Sequence, residues 1–160
     1  MTVHASEIPG QTSLAAGASW GPHLVEHNYV HTPNFAAAAA ADGDVDLIRV
    51  SGSPAPGHKL VIRHNAALNQ VKATSALGLH EEAGTYTRDV LIGDNFLAGG
   101  AYSFSAGGDS AGLRNVGFRD NVFGRTPKSV YGPAALWKEK APGIVWQNIR
   151  FEGGKVVSAP

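Results

Sequence analysis

The chain has 160 residues, and its 13 basic and 13 acidic side chains cancel and lie interspersed. With no positive block to follow a phosphate backbone, nucleic-acid binding is not expected. The chain has no cysteine, which excludes disulfide staples, thiolate catalysis and thiolate-held metals.

Residues 1–19 are small and polar with no lasting period, and read as an N-terminal arm or irregular cap packed through Ile8 and Leu14. They lack the basic start and apolar stretch of a signal peptide. No later run reaches the eighteen apolar residues of a membrane span, so no membrane insertion is expected. Trp20 opens the main domain, expected over 20–157, and 158–160 form a tail.

The strands follow in order. HLVEHN (His23 to Asn28) comes first, and the alanine run Ala36 to Ala41 reads as a loop or short helix. In DLIRV, Ile48 and Val50 should face inward, and Leu47, Arg49 and Ser51 outward. The turn SGSPAPG separates this strand from KLVIRHN (Lys59 to Asn65). SALGL, with Leu77 and Leu79 inward, precedes DVLIGDN (Asp89 to Asn95). AYSFS, with Tyr102 and Phe104 inward, precedes NVGFRDN (Asn115 to Asn121), and GIVWQN (Gly143 to Asn148) closes the series.

Five of these segments end in asparagine, at spacings of 37, 30, 26 and 27 residues. Short alternating strands repeating near every thirty residues mark a solenoid, because one coil cannot bury its own apolar side. The expected fold is all-β, a single-stranded right-handed parallel β-helix of about five coils, each with two strands. Asn28, Asn65, Asn95, Asn121 and Asn148 should form a structural ladder at one corner. Asparagine tolerates left-handed backbone angles, and stacked amides bond to one another.

These residues resemble the pectate-lyase-like superfamily of right-handed parallel β-helices. The likeness extends to the C-terminal β-helix region of actinobacteriophage minor tail proteins and to related secreted actinobacterial proteins. It is carried by Val25 to His31, Asp44 to Val50, Gly99 to Phe104, Asn121 to Arg125 and Tyr131 to Pro133. Where such proteins read Asp-Gly-Ile-Gln, this chain reads Asp46-Leu47-Ile48-Arg49. The resemblance implies either a structural stalk or a carbohydrate-active surface, since this fold carries both.

Several residues could carry chemistry. Arg49, His80, Asp46 and Glu81 are the candidate catalytic set for a polysaccharide lyase, which must neutralise a uronate and remove a proton. The fair acid pair for a glycosidase is Asp46 with Glu81 or Glu82. Asp42, Asp44 and Asp46 at alternating positions are a calcium candidate, the one cofactor reading. His23, His27, His31 and His64 form a metal set on paper. His27 and His64, each preceding a corner asparagine, should stack at one corner in a column continued by Asp94 and Asp120. That column reads first as turn chemistry. Trp20, Tyr86, Tyr131 and Trp137 fall at coil edges, where they could stack on sugar rings. Trp146 is placed outward or at an interface.

Two functions follow. The first is a non-enzymatic structural or recognition module of a phage virion (tail, fibre or capsid surface), homo-oligomeric or part of a larger assembly, in contact with polysaccharide. Its location would be virion or extracellular. The alternative is a polysaccharide lyase or glycoside hydrolase acting on the outward face of the middle coils.

Overall fold

A computed structural model describes residues 2–4, 7–9, 12–16, 21–31, 46–72, 75–80, 86–106, 112–138 and 140–160. The first coil holds β1 (Thr2–His4), β2 (Glu7–Pro9) and β3 (Thr12–Ala16), and the second β4 (His23–Glu26), β5 (Tyr29–His31) and β6 (Asp46–Gly52). Coil three holds β7 (Leu60–Arg63), β8 (Ala66–Asn69) and β9 (Ser75–His80), and coil four β10 (Thr87–Gly93), β11 (Phe96–Gly99) and β12 (Tyr102–Ala106). Coil five holds β13 (Leu113–Arg119), β14 (Val122–Phe123) and β15 (Gly132–Ala135), and β16 (Val145–Gln147) and β17 (Arg150–Phe151) begin a sixth.

Strands of the same rank stack in parallel. The first sheet runs β1-β4-β7-β10-β13-β16, the second β2-β5-β8-β11-β14-β17, and the third β3-β6-β9-β12-β15. The chain is a right-handed parallel β-helix with three strands per coil, one more than the expected two. The additional strand directly follows each asparagine corner. It is only two to four residues long, too short to show a period in sequence. The segment expected as an arm or cap contributes one strand to each sheet, through pairings such as Val3 with Val25 and Leu14 with Val50. Among the described residues no helix is long and apolar enough to cross a membrane.

The core consists of columns in register. In the first sheet Val25, Ile62, Ile92, Phe118 and Trp146 lie one above another. Val30, Ala67, Leu97, Phe123 and Phe151 do the same in the second, and Ile48, Leu77, Phe104 and Ala134 in the third. Parallel strands repeat the same inward position at each level, so one apolar residue per coil extends the column. Trp146, expected outward or at an interface, belongs to the inner column and stacks on Phe118 at 4.8 Å. Below it the chain folds back. Arg150 and Val156 form an antiparallel bridge, Trp146 Nε1 donates to the Val157 carbonyl at 2.9 Å, and Val157 and Ala159 pack on the core.

The asparagine corner has two adjacent parts. His27, His64, Asp94, Asp120 and Asn148 take left-handed angles, with φ from 53° to 57°. The buried asparagine next to each of the first four forms the ladder. Asn65 Oδ1 accepts from Asn28 N–H and Nδ2 (both 3.0 Å), Asn95 Oδ1 from Asn65 (3.0 and 2.9 Å), and Asn121 Oδ1 from Asn95 (2.9 and 3.0 Å). Asn148 is not the fifth rung. The pairing of Arg119 with Gln147 and Val122 with Arg150 aligns Asn148 with Asp120, so the buried Ile149 fills the ladder slot. Asn148 instead sits exposed in the left-handed position and donates from Nδ2 to Asp120 Oδ1.

A second left-handed column interrupts the first sheet at Asp89 and Asn115, with φ of 58° and 50°, and continues at Gly143. A Cβ on Gly143 would lie 2.9 Å from Asn115 Cα, so only glycine fits there.

Candidate functional site

Asp46, Arg49 and His80 come together on the outer surface of the third sheet. At the start of β6 the chain rounds a corner and the alternation slips by one residue. Leu47, expected outward, is buried beside Ile48, as Ala76 is beside Leu77 in the coil below. The slip sends the Asp46 carboxylate to the face that carries Arg49.

Asp46 has no exposed surface. Ser75 Oγ donates to its Oδ1, His80 Nε2 meets its Oδ2, and Arg49 Nη1 lies 3.7 Å from the same oxygen. Ser105 Oγ in the next coil donates to Ser75 Oγ at 3.3 Å, and Thr87 Oγ1 donates to the His80 carbonyl at 3.1 Å. Gly78 makes the contact feasible, since a Cβ there would sit 2.6 Å from Asp46 Cγ and 2.7 Å from His80 Nε2. Paired and hydrogen-bonded donors are what a buried carboxylate requires. Chemically the group is an acid-oriented imidazole: Asp46 holds one ring nitrogen of His80, whose side chain keeps 20% of its surface exposed.

Both Asp46 oxygens already have partners within the fold, and the side chain has no exposed surface. Its expected calcium partners Asp42 and Asp44, and the proposed catalytic Glu81 with Glu82, lie outside the described residues. Ser75, Gly78 and Ser105 complete the cluster and were not singled out from sequence. The available signal was the glycine in SALGLH, at a strand position where a side chain would point outward.

The aromatic candidates separate. Trp20 lies outside the described residues. Trp137 is 6% exposed and packs against Trp146, Phe104 and Phe118 with ring centroids 5.3, 5.8 and 6.2 Å away, so it has almost no face left for a sugar. Tyr86 is 39% exposed, but the Arg114 guanidinium covers its ring at 3.9 Å. Tyr131 is 74% exposed. It stands over an open groove of about 480 Å³ lined also by Arg125, Lys128, Pro133, Phe151 and Lys155. The three cations there were not legible as a set, because 30 residues separate Arg125 from Lys155.

The histidines also divide. His23 faces the core in the column of Leu60, and burial lowers its pKa from the ordinary histidine value. His31 stacks on Tyr29 at 4.8 Å. His27 and His64 stack on each other at 4.9 Å, and His64 Nε2 lies 3.9 Å from Asp94 Oδ2.

Comparison of the chain with family models, curated proteins and solved structures finds no match.

Proposed function

We propose that this β-helix is a non-enzymatic structural and recognition module, of the kind carried on a phage tail, fibre or capsid surface, and that it contacts a cell-surface glycan. The observation that supports glycan contact is Tyr131, a largely exposed ring over a groove that brings Arg125, Lys128 and Lys155 together. An exposed aromatic face beside a few convergent polar groups suits a sugar ring, which presents C–H surface on one side and hydroxyls at its rim. The virion setting rests on the sequence resemblance. The test is calorimetric titration of the chain with a panel of bacterial surface polysaccharides. Binding that drops at least tenfold in Tyr131→Ala, with no cleavage of the glycan, supports the reading. Binding that the substitution leaves unchanged overturns it.

A second reading, a polysaccharide lyase or glycoside hydrolase, draws on the convergence of Asp46, His80 and Arg49. It requires His80 to act as the exposed base, with Asp46 orienting it. Release of shortened or unsaturated oligosaccharides, lost in His80→Asn, would favour it over the first.

A further inference from the structure

We infer that the corner joining coils two and three binds a zinc-class divalent transition-metal ion through His27, His64 and Glu26, with Asp94 behind His64. Among the described residues, the ligand atoms of Glu26, His27 and His64 all lie within 4.8 Å of one another. The register that pairs Glu26 with Arg63 places His27 directly over His64, and both residues are fixed by left-handed backbone angles. The backbone therefore delivers two imidazoles and a carboxylate to one point.

The donor set selects the metal class. Two imidazoles with one carboxylate suit zinc and its neighbours, whereas calcium and magnesium need an oxygen cage. Three protein ligands leave a fourth position for water. Tetrahedral zinc with bonds of about 2.0–2.1 Å holds its ligands roughly 3.3 Å apart. Glu26 Oε2 and His27 Nδ1 are 3.9 Å apart, so the gap to close there is small.

Binding requires one rearrangement. A metal lies in the plane of each imidazole it binds, and the two rings are stacked only 22° from parallel. One ring must turn out of the stack. The His27 and His64 side chains are 52% and 44% exposed, so that rotation meets little packing. Arg63 Nε holds Glu26 Oε2 at 2.8 Å and competes with the ion. A carboxylate has lone pairs enough for both partners. Asp94 Oδ2 lies 3.9 Å from His64 Nε2, so with the ion on Nδ1 a small movement would let it accept a hydrogen bond from Nε2 and orient the ring.

The test is calorimetric titration of the full chain with zinc chloride, repeated with calcium and magnesium. His27→Asn and His64→Asn keep the corner, because asparagine accommodates the same positive φ, as Asn148 does in this column. The expected result is saturable uptake of one equivalent of zinc, a zinc-dependent rise in melting temperature, and no response to the other two ions. Each variant should melt at the metal-free wild-type temperature and bind at least tenfold more weakly, while His80→Asn binds as wild type. Absence of saturable uptake overturns the inference, as does unchanged binding in the His27→Asn/His64→Asn double variant.

Discussion

Asn95 Oδ1 accepts two hydrogen bonds from Asn65, one from its backbone N–H at 3.0 Å and one from Nδ2 at 2.9 Å. Asn95 Nδ2 carries two hydrogens and has three acceptors in reach, the carbonyls of Ile62 and Gly93 and Asn121 Oδ1, so one hydrogen is shared between two of them. One side chain thus ties three coils together. Asn95→Ala strands these buried partners and should cost about 2–4 kcal/mol, since each buried polar group left unpaired costs about 1–3 kcal/mol. Asn148→Gly, at an exposed position with positive φ, should cost less than about 1 kcal/mol. Urea unfolding of both variants measures the difference, and equal losses would refute the distinction between rung and corner.

Gly78→Ala should destabilise by about 1–3 kcal/mol, the usual penalty for forcing a methyl group into packed space. The added Cβ meets Asp46 Cγ and His80 Nε2. Much of the loss should return in Gly78→Ala/Asp46→Ala relative to the sum of the single changes, because the second substitution removes half of the clash. A double-mutant cycle reads this coupling. Strict additivity would show that the glycine is not there for the carboxylate.

Phe118 touches Phe104, Trp146 and Phe123 with ring centroids 4.2, 4.8 and 6.0 Å away. Phe118→Ala should cost about 3–5 kcal/mol, as other buried aromatic truncations do. Thermal unfolding monitored by tryptophan fluorescence also reports on the neighbouring Trp146. An unchanged melting temperature would place the core elsewhere.

Burial lowers the pKa of His23, so the folded state resists protonation there while the unfolded chain accepts a proton at the ordinary histidine value. His23 therefore favours folding above about pH 6.5 and loses that contribution as pH falls from there through its lower folded value. Stability measured between pH 7.5 and 5 should fall less steeply in His23→Leu than in wild type. Parallel pH profiles would show that His23 takes no part.

How much of this was legible depended on local regularity. The alternation in KLVIRHN and DVLIGDN and the recurring asparagine carried the parallel solenoid, because coil register repeats one residue pattern at each level. The β14 pair Val122–Phe123 is too short to carry a period, so the additional strand after each asparagine corner was not visible. GIVWQN resembles NVGFRDN, yet its asparagine falls one residue early, and only the pairing of Phe118 with Trp146 exposes the slip. Leu47 broke strict alternation for a similar reason, a corner inside what reads as one strand. The nearness of Asp46 to His80 followed from stacking neighbouring coils. That Ser75 would occupy the same carboxylate depended on side-chain directions no periodicity encodes.

The left-handed corner has a consequence for how such a surface can change. At four successive levels the residue that holds the stack together, an asparagine, adjoins one that faces solvent at a left-handed backbone angle, and at the next level the inner residue is Ile149. Histidine, aspartate and asparagine already occupy that outer position in successive coils. The corner works as a row of interchangeable display sites, one per level, whose chemistry can be rewritten while the frame behind them stays constant.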